Sequence, residues 1–167
     1  MMKVINEKFN DFFPEDLKKY LDSIDLEGTK VAASQLDEIE RRIFEVTVAL
    51  LKKKHADKWW WNGIPNKVRE ECSRLHNLSE GEKAIEQYIY LVDLHAIASS
   101  DWDLFKDYYS FSKDGGKVKQ LEWLIKLNKI RQTTHHGPKW PATKEQVIFV
   151  KEYHSKVMER FKLPEEK

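Results

Sequence analysis

Residues 34–54 read SQLDEIERRIFEVTVALLKKK, and this run decides the fold class. Leu36, Ile39, Ile43, Val46 and Leu50 recur in steps of three and four, the spacing that puts apolar side chains on one stripe of an α-helix. Ser34 is an N-cap candidate at the start. Lysines close the run, where cations suit the negative end of the helix dipole. The spacing predicts a helix over 34–54 whose stripe must be buried against other helices.

The same period recurs to either side. Val147, Val150, His154, Val157 and Phe161 repeat the steps, and Thr143 followed by Gln146 is a capping-box pair, so a last helix is expected over 144–162. From Lys117 the series Val118, Leu121, Leu124, Ile125 and Asn128 predicts one helix to His135 or His136, stopped by Gly137 and Pro138. Ser79 with Glu82 reads as another capping box, opening a helix through Ile85, Tyr88, Ile89 and Val92 to about residue 98, resuming over 102–109. A short helix near Pro65 carries Val68, Cys72 and Leu75. Residues 9–26, with Phe9, Phe12, Phe13 and Leu17, read as an accessory helix, joined by a linker over 26–33.

No stretch alternates convincingly as a strand. Six Gly and five Pro in 167 residues are about half the usual share, which disfavours turn-rich sandwiches and barrels. The expected class is therefore all-α, a four-helix bundle with an accessory N-terminal helix and short extra helices. Its expected division is an accessory segment over 1–33 and a helical domain over 34–167. The single cysteine, Cys72, excludes an internal disulfide and a cysteine-rich zinc site. The first 30 residues are charged and no apolar run approaches 18 residues, so a soluble cytoplasmic protein without a membrane partner is expected.

Twenty-nine Lys and Arg nearly balance 28 Asp and Glu, for a formal charge of +1. That balance conceals an asymmetry. Residues 117–167 carry twelve basic and six acidic side chains, net +6, and residues 1–116 carry seventeen and twenty-two, net −5. A basic end of this kind suits an anionic ligand, and it also suits solubility of amphipathic surface helices.

The most informative chemistry is in LNKIRQTTHHG, residues 127–137. Arginine is permanently cationic and can grip two phosphate oxygens, whereas histidine moves protons near neutral pH. Arg131 with His135 and His136 is thus the minimum set for cleaving a phosphodiester without a metal ion or cofactor. Lys129, Gln132, Thr134 and Lys139 are the nearby candidates for holding substrate. On a regular helix Arg131 and His135 share a face, while His136 points about 140° away. Basic residues in a last turn also serve simply to cap it.

At these residues the chain resembles the HEPN superfamily, small helical bundles marked by an arginine, four to six intervening residues and a histidine. Arg131 and His136 match that motif with four between them, Leu127, Asn128, Lys129 and Ile130 resemble its usual lead-in, and the motif precedes a last amphipathic helix. The resemblance spans about residues 34–162. It implies a metal-independent RNA endonuclease, often a toxin or defence effector, with Arg131 and His136 of two subunits lining a composite cleft in a homodimer. Attack by the 2′-hydroxyl would leave a 2′,3′-cyclic phosphate. The family often has Asn, Asp or His after the arginine, where this chain has Gln132. Some members are inactive modules that bind RNA or a protein, or are controlled by an antitoxin or another defence-system protein.

Other features carry plainer readings. Trp59, Trp60 and Trp61 can close one end of the bundle, with at most one ring left for a ligand. Lys52, Lys53, Lys54, His55 and Lys58 suit a helix terminus as well as they suit phosphates. Glu40 and Glu45 are candidates to approach Arg131 across the bundle. His154, on an apolar stripe, reads as a satisfied core histidine, and no histidine spacing suggests zinc.

Overall fold

A computed structural model describes residues 15–135 and 141–163. The described residues are helical apart from turns and one isolated bridge between Ile24 and Thr143. In chain order the helices are α1 (Glu15–Ser23), α2 (Leu26–His55), α3 (Trp59–Gly63), α4 (Asn66–Leu78), α5 (Leu91–Ser100), α6 (Trp102–Tyr109), α7 (Lys117–Gln120), α8 (Glu122–His135) and α9 (Lys144–Arg160). Single 3₁₀ turns precede α3 and α5.

Helix α2 is the axis of the fold, packing against α9, α8, α5 and α3. Its stripe of Leu36, Ile39, Ile43, Val46 and Leu50 is buried throughout. The helix is longer than its apolar period suggested, and Ser34 is not its cap. Asp25 is the N-cap, its Oδ1 accepting from the Gly28 N–H at 2.7 Å, so residues 26–33 form the first turns of α2. Ala32 there is fully buried. A Cβ on Gly28 would fall 2.9 Å from Val147 Cγ1, so the residue's small size lets α2 and α9 close at this end. The chain before α9 is tied to the same place, with the Asp25 N–H donating to the Ala142 carbonyl at 3.0 Å. Phe9, Phe12 and Phe13 lie outside the described residues.

Two expected elements are reorganised. Ser79 does not open a helix: it is the C-cap of α4, followed by Glu80 and Gly81 at φ +53° and +76°. Gly81 adopts the left-handed conformation cheaply, and its N–H returns to the His76 carbonyl at 2.9 Å. Helix α5 starts instead after Tyr90, whose N–H donates to Asp93 Oδ2 at 2.9 Å.

The helix expected from Lys117 is broken at Leu121, where the Leu121 N–H is shared between the carbonyls of Lys117 and Val118 at 3.2 Å each. Gln120 is buried, and its amide nitrogen donates to the Asp114 carbonyl at 2.8 Å. The break changes the phase: Val118 and Ile125 are exposed, and Leu121, Trp123, Leu124, Leu127 and Ile130 face the core. By contrast, the Thr143 and Gln146 capping box of α9 forms as expected, each side chain meeting the other residue's N–H.

Candidate functional site

The end of α8 lies against the middle of α2, and side chains from both helices form a polar cluster beside the core. Arg131 projects from the last turns of α8 and is half-buried. Its Nη2 donates to Glu40 Oε1 at 3.4 Å, and its buried Nε lies 3.1 Å from Glu40 Oε2 without the alignment of a hydrogen bond. Glu40 Oε2 also accepts from the Leu91 N–H at 3.0 Å, at the start of α5. One carboxylate therefore joins three helices. Tyr90 lies beside the guanidinium, 5.8 Å from ring centroid to Cζ.

Burial raises the Glu40 carboxyl above the usual carboxylate range, and this desolvation outweighs the opposing pull of Arg131 and of the Leu91 N–H. The contact is thus a partly buried ion pair in which the acid is penalised for its charge.

His135 shares the helix face of Arg131, as the spacing of four requires. Its Nε2 lies 2.9 Å from Asp37 Oδ1 on α2, and its Nδ1 lies 3.1 Å from the Arg131 carbonyl and 3.0 Å from Thr134 Oγ1. Both ring nitrogens are engaged within the chain. Asp37, Glu40 and Phe44 follow steps of three and four along α2, next to its apolar stripe. They form one wall of an open cleft of about 490 Å³ completed by Arg41, Lys83, Gln87 and Ile89.

Of the remaining sequence-derived candidates, Thr134 touches this cluster through His135 Nδ1. Thr134 and Thr133 turn their hydroxyls back to the α8 carbonyls of Arg131 and Lys129, at 3.3 and 3.0 Å. Gln132 and Lys129 are exposed. His136 and Lys139 lie outside the described residues. Of the two acids proposed to approach Arg131, Glu40 does so and Glu45 is exposed. Asp37, Arg41, Lys83 and Gln87 were not singled out from sequence. Asp37 is one turn before Glu40 on the same face of α2, a position that type alone does not separate from the other exposed acids of that helix.

The other flagged groups make contacts of their own. Trp59 and Trp60 pack on the core and Trp61 is exposed, its ring 5.2 Å from the Arg69 guanidinium. Lys54 pairs with Asp101 at 2.5 Å. His154 is partnered by Glu38 at 2.6 Å, so it is satisfied as its position suggested, but the pair is partly exposed at the surface and is not in the core. Among the described residues no group of three or more metal-ligating side chains converges, and no helix is long and apolar enough to cross a membrane. Comparison of the chain with family models, curated proteins and solved structures gives no match.

Proposed function

We propose that this chain is a metal-independent RNA endonuclease of the HEPN type, a cytoplasmic homodimer of the toxin or defence kind that cuts RNA in a cleft shared by two subunits. The observation that supports this most is that Arg131 and His135 are held on one face of α8 by Glu40 and Asp37, two acids that themselves line an open cleft. A guanidinium carries five N–H donors, so its contacts with one carboxylate leave capacity for phosphate oxygens. In this reading Arg131 stabilises the charge that builds on the phosphoryl oxygens. The ribose 2′-oxygen attacks phosphorus and gives up its proton to a histidine, the bond to the 5′-oxygen breaks, and that oxygen takes a proton. The products are a 2′,3′-cyclic phosphate and a 5′-hydroxyl. His136 is assigned the proton transfer. His135, with both nitrogens occupied, is assigned the orientation of the α8 terminus.

The ion pair also favours a second reading. An arginine already neutralised by Glu40 suits a non-catalytic module that binds RNA or a protein partner, such as an antitoxin, within a defence complex.

Incubation of the purified protein with RNA in EDTA, with mapping of product ends, decides between them. The nuclease reading expects cyclic phosphate ends, loss of cutting in Arg131→Ala and in His136→Ala, and a dimer by light scattering. Mixing the two variants should restore part of the activity if each cleft uses both subunits. Cutting that is unchanged in either variant, or intact RNA across a range of substrates, overturns it.

A further inference from the structure

About 12 Å along α8 from Arg131, at eight residues of 1.5 Å rise, a groove of about 360 Å³ opens between α8 and α9, lined by Phe111, Trp123, Lys126, Phe149, Tyr153 and Lys156. Phe149, Tyr153, Lys156 and Arg160 follow steps of four, three and four on α9, and Trp123 and Lys126 are three apart on α8, so each helix contributes one face. An adjoining hollow of about 470 Å³ shares Phe111 and Lys156 and adds Arg160 and Lys162.

The floor is a fixed stack. Trp123 and Tyr153 lie nearly parallel, 7° apart with centroids at 5.2 Å, and Phe111 meets Trp123 edge-on at 5.0 Å. The Trp123 indole N–H donates to the Tyr109 carbonyl at 3.0 Å, which holds the plane in place. Cations cover the outer rings: Lys126 Nζ is 4.0 Å from the Phe149 centroid, Lys156 Nζ 4.6 Å from Tyr153, and Arg160 Cζ 4.6 Å from Phe111. A ring whose face is covered by a cation has no apolar neighbour there. Along the two hollows Lys119, Lys126, Lys156, Arg160 and Lys162 outnumber Glu122 and Glu159. Lys156 also pairs with Glu152 at 2.5 Å, and Arg160 donates to the Ser110 carbonyl.

We propose that this groove binds a short unpaired stretch of RNA, its bases stacking on the ring faces of Phe149 and Tyr153 while the lysines over those rings swing out to the flanking phosphates. Alternating π-faces and cations are what a single strand requires. A bare anion has no use for the rings, and an apolar peptide has none for the excess of cations. The choice of RNA over another single-stranded polynucleotide rests on the nuclease reading; the groove itself does not.

Fluorescence anisotropy of the full chain with a labelled eight-nucleotide RNA tests this, with 2′-O-methyl groups throughout so that cutting cannot intervene. Stacking predicts a loss of roughly 5- to 100-fold in affinity for Phe149→Ala and recovery in Phe149→Tyr, which keeps a ring and controls for misfolding. The Lys126→Ala, Lys156→Ala pair should weaken binding about tenfold and lower the salt slope by about one to two. A duplex of the same sequence and inorganic polyphosphate should compete poorly. Absence of binding, equal affinity for the duplex, or equal affinity for wild type and Phe149→Ala overturns the proposal. Groove-dependent binding without cleavage of natural RNA overturns only the nuclease reading, whereas cleavage with affinity unchanged in Phe149→Ala overturns only the groove.

Discussion

Glu40 Oε2 sits 3.1 Å from Arg131 Nε and 3.0 Å from the Leu91 amide nitrogen, so a single carboxylate links the candidate arginine on α8 to the first turn of α5. The two contacts make different demands: the amide needs an acceptor, whereas the guanidinium favours a negative charge that burial penalises. Glu40→Gln keeps an acceptor for Leu91 and removes the charge opposite the half-buried guanidinium, so at pH 7 it should be less destabilising than Glu40→Ala. Glu40→Ala removes the acceptor and should cost about 1–3 kcal/mol. Urea unfolding of both variants checks the pair. If Arg131 contacts phosphate, Glu40→Gln should also bind RNA more tightly, because the guanidinium loses its internal competitor.

The raised Glu40 carboxyl fixes the sign of a pH effect. A carboxyl that holds its proton more tightly when folded contributes stability below its unfolded value, 4.5. That contribution is lost as pH rises through the higher folded value. Wild type should therefore gain stability relative to Glu40→Gln on going from pH 7 to pH 4.5, with the change falling just above the ordinary carboxylate range. A stability difference that stays flat over this interval, or shrinks, would sink the assignment of burial as the dominant influence on Glu40.

Thr47 and Tyr109 share a hydrogen bond of 2.7 Å inside the core, 62 residues apart in sequence. Tyr109 is fully buried and Thr47 nearly so, so neither hydroxyl can turn to water instead. Tyr109→Phe and Thr47→Val should each cost about 1–3 kcal/mol, because each leaves a buried polar atom without its partner. The double variant should cost clearly less than the two together. Strict additivity in a denaturant series would show that the pair is not coupled.

Cys72 is fully buried on α4, and burial, aided by Asp93 and Glu71, pushes its thiol up to about 12 from an ordinary 9.0. Since only thiolate is alkylated, native Cys72 should react with iodoacetamide at pH 8 on the order of a thousandfold more slowly than in guanidinium chloride. Mass spectrometry of timed samples measures both rates. Rates within about tenfold of each other would mean that α4 opens readily or that the thiol is not shielded.

Long apolar periods were legible in the sequence because they are set by the core: the stripe of α2 is buried where steps of three and four put it, and Val150, Val157 and Phe161 of the last stripe are buried while Val147 and His154 lie at its edge. Short polar signals were legible only where the local geometry was regular. Thr143 and Gln146 cap α9 as read, yet Ser79 and Glu82 carry the same signature and lie just after a helix, where Gly81 ends α4. The apolar run from Lys117 hid a break at Leu121, where a buried Gln120 bonds back to the carbonyl of Asp114 in the preceding loop, a local contact without period. At the candidate site, Arg131 and His135 could be singled out by type and spacing, whereas Glu40 was one of two acids, with Glu45, that type alone could not separate. Asp37 could not be chosen from among solvated carboxylates until α2 and α8 were packed together. The aromatic groove escaped notice for a similar reason, its rings coming from α8, α9 and the segment after α6.

The N-terminus of α2 can be located by measurement. Asp25 caps the helix through the Gly28 N–H at 2.7 Å, whereas Ser34 is an exposed residue inside it. Asp25→Ala should therefore cost about 1 kcal/mol, a fall of roughly 2–4 °C in Tm for a chain of this size. Ser34→Ala should be neutral or slightly stabilising, since alanine has the higher helix propensity and no cap is lost. Paired thermal melts separate the alternatives. A cost confined to Ser34→Ala would place the start of the helix at the boundary first read from the apolar period, and would return residues 26–33 to a linker.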